Sequence, residues 1–180
     1  IPHLSYAEAA EMAYFGAKVL HPRTIDPALE KEIPIRVKDA SDPAGCGTLI
    51  TGEDSRAEGI VKAVSRIECV GLVSVYGTRM AGVPGVAARV FEALAEAGIN
   101  IVMISQGSSE TNITMVVPEG EIGRCREILV DALESDETVK SVEVDDDVSV
   151  VSVVGSGMRG TPGVAGRVFS AVASRGINVM

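Results

Sequence analysis

An α+β fold is predicted for this chain by three features of its sequence. Runs of β-branched residues of strand length alternate with segments of helical, 3.6-residue periodicity. Over the central part of the chain these segments follow the order β-α-β-β-α-β. One β-α-β stretch also occurs twice: Val70–Val102 recurs as Val148–Met180, 78 residues further on, with 19 of 33 aligned positions identical. That exceeds what shared hydrophobic patterning produces and marks a repeat.

The first fifty residues differ in style from the rest. Ser5-Tyr6-Ala7-Glu8 reads as a capping box, in which the serine side chain and Glu8 satisfy orphan backbone donors at a helix start. The helix is expected to run through AEAAEMAYFGAKVL and to stop at Pro22. Asp26-Pro27 reads as an N-cap with proline at the first helical position, opening a short helix over Ala28–Lys31. Pro34 leads into a strand at Ile35–Lys38, and DASDPAGCGT is turn-rich loop.

Strands are then expected at Ile60–Ser65 and Val70–Tyr76. Pro84 opens a helix that turns Val86, Val90, Leu94 and Ala97 to one face, with Gly98 placed to end it. Ile101–Ser105 and Asn112–Val117 read as strands. Ile122–Leu133 reads as a second amphipathic helix with Ile122, Cys125, Leu129 and Leu133 inward, and Val139–Val144 as the closing strand. Two split β-α-β halves with both helices on one face of an antiparallel sheet form a ferredoxin-like unit. Asp145-Asp146-Asp147 is expected to be a tight polar break before the second copy, which stops two residues after Asn178. The chain is therefore expected to be part of a longer protein, its second unit incomplete and its strand edges open.

Composition narrows the function classes. Hydrophobic residues make up 46% and charged residues 23% of the 180, the profile of a folded globular protein. Only 3% is aromatic, with no tryptophan, so the core must be built from Val, Ile, Leu and Ala. A formal net charge of −9 argues against nucleic acid, anionic membranes and acidic partners. Cys46, Cys69 and Cys125 are odd in number and widely spaced, which points to reduced thiols in cytoplasm and no metal site. His3 and His21 lack metal-ligand spacing, and no apolar run approaches the roughly 18–20 residues that span a bilayer.

The glycine-rich loops of the two copies are the most informative local feature. Gly155-Ser156-Gly157-Met158-Arg159-Gly160 matches the dinucleotide fingerprint G-x-G-x-x-G. Its counterpart, Gly77 to Gly82, lacks the middle glycine, and no acidic residue ends a following strand, so the match does not support a dinucleotide site. What both copies share is a strand, then G-x-x-M-x-G-x-P-G-V, a helix and G-I-N. Gly85 and the free N–H groups after it lie at a helix N-terminus, suited to a small carboxylate. Gly98-Ile99-Asn100 is expected to bring the chain back beside that loop, where strand carbonyls would face an ammonium, so that main chain holds an amino acid. The alternative is that these glycines serve only tight turns and close packing.

The stretches SYAEAAEMAYFGAKVLHPRTIDPALEKEIPIRVKDASDP and GTLI resemble the C-terminal end of the catalytic domain of aspartokinase, which is of amino-acid-kinase α/β type. GMRGTPGVAGRVF and MISQGSSETNITMVV resemble the tandem ACT units, amino-acid-sensing modules, that follow it in that family. The likeness covers essentially the whole chain in the family's order. It implies a kinase remnant at 1–56, a strand lent to the second ACT unit at 57–68, a first ACT unit at 69–146 and an incomplete second one at 147–180. It also implies that the parent protein phosphorylates the β-carboxylate of aspartate with MgATP, on the route to lysine, threonine and methionine.

By the same resemblance Lys18 and Val19 line the ATP pocket. The family's Lys-Phe-Gly-Gly segment and its aspartate-binding residues have no counterpart here, so no catalytic residue is assigned and the fragment alone is expected to be inactive and to hold neither ATP nor Mg2+. The effector site carries over onto Met80, Gly82, Val83, Pro84, Gly85 and Val86, then Asn100, Ile101, Val102, Ile104 and Gln106. The second unit supplies Gly163, Val164, Asn178 and Val179. Gln106 can both donate to and accept from a hydroxyl-bearing amino acid. Lysine-inhibited relatives often carry an acid where Val102 stands, so threonine is favoured over lysine as effector. ACT units of two subunits are expected to lie side by side with effectors between them, giving a homodimer or higher oligomer. Two other parents fit the sequence: a stand-alone ACT-type sensor, and an aspartokinase fused to homoserine dehydrogenase.

Overall fold

The computed structural model describes residues 1–17, 19–53, 59–107 and 109–180. Among these the elements are β1 (His3–Ser5), α1 (Tyr6–Tyr14), α2 (Pro22–Glu30), β2 (Ile35–Val37), β3 (Thr48–Thr51), β4 (Ala63–Tyr76), α3 (Val86–Glu96), β5 (Met103–Gln106), β6 (Asn112–Pro118), α4 (Ile122–Leu133), β7 (Ser141–Val154) and α5 (Val164–Ala173). Two compact units divide the chain, Ile67–Val150 and Ile1–Arg66 with Val151–Met180. The division falls inside the two longest strands, β4 and β7.

The unit Ile67–Val150 has the expected α+β, ferredoxin-like architecture. Its strands lie in the order β5-β6-β4-β7, with β6 antiparallel to both β5 and β4. Val73 and Val75 of β4 and Ile113, Met115 and Val117 of β6 are fully or almost fully buried, at the period of two that sends alternate residues to one face. Against them pack Val86, Val90 and Leu94 of α3 and Ile122, Cys125, Leu129 and Leu133 of α4, the stripes that helical spacing picked out. Helix α4 has the expected bounds.

Other elements differ from expectation. The strands foreseen at Ile60–Ser65 and Val70–Tyr76 are one strand, β4, with a joint at Cys69 in the left-handed conformation (φ 57°). The closing strand does not break at Asp145-Asp146-Asp147 but runs through it to Val154. It stands at an edge of the sheet, where acidic side chains remain solvated. β5 begins at Met103 rather than Ile101, although the Val102 amide still donates to the Val116 carbonyl at 2.8 Å.

In the other unit, β1 and β2 flank β3, parallel and antiparallel to it respectively. Sequence patterning does not anticipate β1 or β3. Leu4, Tyr6, Ala9, Ile25, Ala28 and Ile50 form its core, and the Tyr6 hydroxyl donates to the Ile33 carbonyl at 2.6 Å. The capping box is present in full: the Glu8 amide donates to Ser5 Oγ at 3.2 Å and the Ser5 amide to Glu8 Oε2 at 2.9 Å. Helix α1 ends at Tyr14 instead of running on toward Pro22, since Gly16 turns left-handed (φ 97°). Pro22 does not stop a helix but starts α2, where its missing N–H costs nothing. His21 caps that helix, its Nδ1 accepting from the Arg23 amide at 3.2 Å, and Pro27 sits inside it. In α5, Val168 and Val172 are half-buried and Phe169 is 56% exposed, whereas the first-copy counterparts of those two valines, Val90 and Leu94, are fully buried.

Candidate functional site

Strand β4 delivers the chain to the first glycine loop. The Gly77 amide donates to the Thr111 carbonyl at 2.9 Å, and the loop is then held by the Met80 amide on the Gly77 carbonyl and the Val83 amide on the Met80 carbonyl. Met80 is 4% exposed and anchors the loop in the core, while Gly82, Val83, Pro84 and Gly85 are exposed above it. Gly82 and Gly85 take φ of 72° and 96°, conformations that a side chain would strain. Gly85 is the N-cap of α3 and no side chain caps that helix, so its leading N–H groups have no side-chain partner; Val86 is buried beneath them.

A carboxylate already sits on this loop. Glu110 Oε2 accepts from the Gly82 amide at 2.8 Å. Glu110 is itself left-handed (φ 52°), and its amide closes a turn onto the Gly107 carbonyl at 3.0 Å. Sequence reasoning missed Glu110. The available signal was the polar GSSET turn between two strands, which hydrophobic patterning cannot resolve. Nearby, Ser109 Oγ and Thr111 Oγ1 lie 2.9 Å apart.

The strand residues divide between the two ends of the sheet. Gln106 shares a rung with Ile113 and Val75, one residue short of the end of β4, so it lies at the loop's end and is exposed. Ile104 is 52% exposed, two rungs below. Asn100, Ile101 and Val102 precede β5 at the opposite end, beyond the rung that Met103 shares with Val116 and Leu72. The expectation that Gly98-Ile99-Asn100 returns beside the glycine loop is therefore corrected. The eleven residues of α3 separate Gly85 from that turn by about 16 Å. In the second copy, Gly163 (φ 83°) caps α5 over buried Val164, and Asn178 and Val179 are exposed beyond its far end.

Of the ATP-pocket candidates, Lys18 lies outside the described residues. Val19 is 66% exposed and borders a hollow of about 190 Å3 whose other walls include Leu4, Met12, Leu20 and Ile50, with Thr48 as the polar exception. Among the described residues no group of three or more His, Cys, Asp or Glu side chains is placed to hold a metal ion. Nor is any helix among them long and apolar enough to cross a membrane.

A sequence profile of the ACT domain matches residues 73–133 and 151–180. The bifunctional aspartokinase/homoserine dehydrogenase of Haemophilus influenzae is 38% identical over 183 residues, covering 100% of this chain and 22% of that protein. The regulatory subunit of aspartate kinase from Thermus flavus superposes with a TM-score of 0.60 at 32% identity, over 67% of this chain and 79% of the other. E. coli aspartokinase III in complex with lysine and aspartate (T-state) superposes with a TM-score of 0.75 at 28% identity, over 100% of this chain and 39% of the other. The chain thus spans about a fifth of the length of the curated relative it matches. With the repeat, the sheet order and the glycine loops in agreement, this chain belongs to the aspartokinase family, as its ACT-domain regulatory region.

Proposed function

We propose that this chain senses an amino acid, threonine in preference to lysine, and so controls an aspartate kinase that transfers the γ-phosphate of ATP to the β-carboxylate of L-aspartate. The observation that carries the reading is the Gly82 amide, which donates to the Glu110 carboxylate in a loop with two left-handed glycines and so suits a carboxylate acceptor. A free amino acid presents the same group. Its ammonium would meet backbone carbonyls, and Gln106 would take the threonine hydroxyl. Val102, where lysine-sensing relatives often carry an acid, offers nothing to a second ammonium.

Because Asn100–Val102 lie a helix length from the glycine loop in one chain, the site is complete only when a second copy brings its own Asn100–Val102 to the loop. The exposed strand β5 supports that arrangement. The second-copy residues Gly163, Val164, Asn178 and Val179 would form the corresponding half-site. Fusion to homoserine dehydrogenase is a second reading of the parent, favoured by the Haemophilus influenzae relative. A stand-alone sensor is disfavoured, since residues 1–51 build a sheet and two helices of their own in addition to the ACT fold.

ATP would be a substrate of the whole enzyme, with Lys18 and Val19 on its pocket. The apolar walls beside Val19 offer a triphosphate nothing, and among the described residues no cluster of metal ligands awaits Mg2+. The phosphates and their metal would therefore be held by other parts of the kinase. The chain alone is expected to show no ADP release above background with saturating aspartate and MgATP. Calorimetric titration with threonine, lysine and methionine tests the effector: the reading requires threonine to bind most tightly, and tighter lysine binding would overturn it.

A further inference from the structure

The loop that opens the second repeat is fastened in a way its first-copy counterpart is not. The Ser156 amide, first in a single 3-10 turn Ser156–Met158, donates to Glu8 Oε1 at 2.7 Å. The other oxygen of the same carboxylate accepts from Lys62 Nζ at 2.8 Å and from the Ser5 amide at 2.9 Å. Glu8 is 4% exposed and the Lys62 side chain is fully buried. Lys62 also donates its amide to the Val154 carbonyl at 2.9 Å, so three segments distant in sequence meet at one carboxylate.

The backbones approach as closely as glycine permits. A Cβ at Gly155 would lie 2.3 Å from the Ile60 carbonyl oxygen, and one at Gly157 would lie 2.9 Å from Ile60 Cα. In the first copy Arg79 stands where Gly157 stands in the second. The middle glycine of the apparent dinucleotide fingerprint is therefore a packing residue, required by the segment on which its loop lies.

Helix α1, which carries Glu8, leads at its other end directly into Phe15-Gly16-Ala17 and on to Val19. We propose that Glu8 is a positioning residue that ties the 155–160 loop of the second repeat to helix α1, so that a shift of this loop on effector binding is delivered along α1 to the segment beside the nucleotide. The proposal rests on the regulatory reading above. A helix bonded at one end to the glycine loop of a repeat that carries candidate effector residues is a physical connection of the kind coupling needs. A buried carboxylate with three donors cannot slip without leaving a charge unpaired, which makes the tie stiff.

The tie itself is tested in this chain by amide hydrogen exchange. Glu8→Gln is expected to lower protection at Ser156–Met158 and over the first turn of α1 together, by about tenfold or more, with β6 and α4 unchanged. Loosening of the loop alone, or of neither, overturns the proposal. The relay is tested in the full-length kinase. There Glu8→Gln is expected to raise the threonine concentration for half-inhibition at least fivefold and to change KM for ATP, with kcat in the absence of threonine within about twofold of wild type and threonine Kd unchanged. A merely structural role would leave the inhibition curve superimposed on wild type, and that result overturns the relay. Gly157→Ala, which pushes the loop from Ile60 without touching Glu8, is expected to give the same split and decides the matter if Glu8→Gln fails to fold. If threonine binds neither wild type nor variant, the effector reading fails, while the exchange data still decide the tie.

Discussion

Glu8 is in electrostatic tension. Burial alone would raise the pKa of its carboxyl, but the Lys62 ammonium and the Ser156 and Ser5 amides outweigh burial and bring it from an ordinary 4.5 down to about 2. A group whose pKa is depressed on folding stabilises the fold at pH values above its unfolded pKa. That contribution is lost as pH falls through the folded value, here between about 4.5 and 2. A shift of this size corresponds to on the order of 3 kcal/mol. Glu8→Gln should therefore lower the urea midpoint clearly at pH 7 and much less at pH 2.5. Equal destabilisation at both would show that the contacts matter through packing and not through charge. Lys62→Met should cost about 3–5 kcal/mol, because it leaves the carboxylate buried without its cation, and the double substitution with Glu8→Gln should cost less. Cys125 illustrates the opposite case: burial first, and then the Glu121 charge, push its thiol up to about 11. A thiol reagent at pH 8 should modify exposed Cys46 and Cys69 in the native protein and reach Cys125 only on unfolding.

Among the elements, two glycine substitutions should act in opposite directions. Gly157→Ala puts a methyl group against the Ile60 backbone, which cannot swing aside like a side chain, and should destabilise by about 1–3 kcal/mol. Gly166 lies in α5 with open space around its added Cβ, so Gly166→Ala should stabilise by about 0.5–1 kcal/mol through helix propensity and a less disordered unfolded chain. Thermal melts of the two variants check both signs. The same elements show what the sequence made legible. Helices α3 and α4 were readable because each buries a full 3.6-period stripe, Val86-Val90-Leu94 and Ile122-Cys125-Leu129-Leu133. Strands β1 and β3 were not, since three or four residues give no periodicity and their pairing spans 46 positions, His3 with Leu49. The acidic run at 145–147 resembled a turn because local composition does not reveal that the strand stands at a sheet edge. Of the candidate site, the glycine loop was legible because its motif occurs in both copies, Gly77–Val86 and Gly155–Val164. Glu110 and the tie at Glu8 were not, because each depends on contacts 28 or more residues distant along the chain.

At the scale of the whole molecule, the proposed effector site ties ligand binding to the association state. Strand β5 ends the sheet of its unit with all four residues exposed, including Met103 at 40% and Ile104 at 52%, and it bears no charged side chain to discourage pairing. Pairing with a second copy would satisfy that edge and bring together the two proposed half-sites, whose residues lie at opposite ends of α3 in one chain. A ligand bound across such an interface favours the dimer in proportion to its occupancy, so threonine should tighten self-association and self-association should tighten threonine. Sedimentation equilibrium at micromolar concentration should show a dimer or larger species, with the monomer fraction falling further when threonine is added. The net charge of −9 opposes association at long range, so added salt should strengthen it by screening. In the proposed site Gln106 would meet the threonine hydroxyl, and Gln106→Ala would remove that group. The loss of one such hydrogen bond, about 1–3 kcal/mol, should weaken threonine about 5- to 150-fold. Val102→Asp should instead raise affinity for lysine by supplying a carboxylate to its second ammonium, with little gain for threonine. A chain that stays monomeric at saturating threonine would sink the shared site. Unchanged threonine binding by Gln106→Ala would leave the family assignment standing but remove Gln106 from the site.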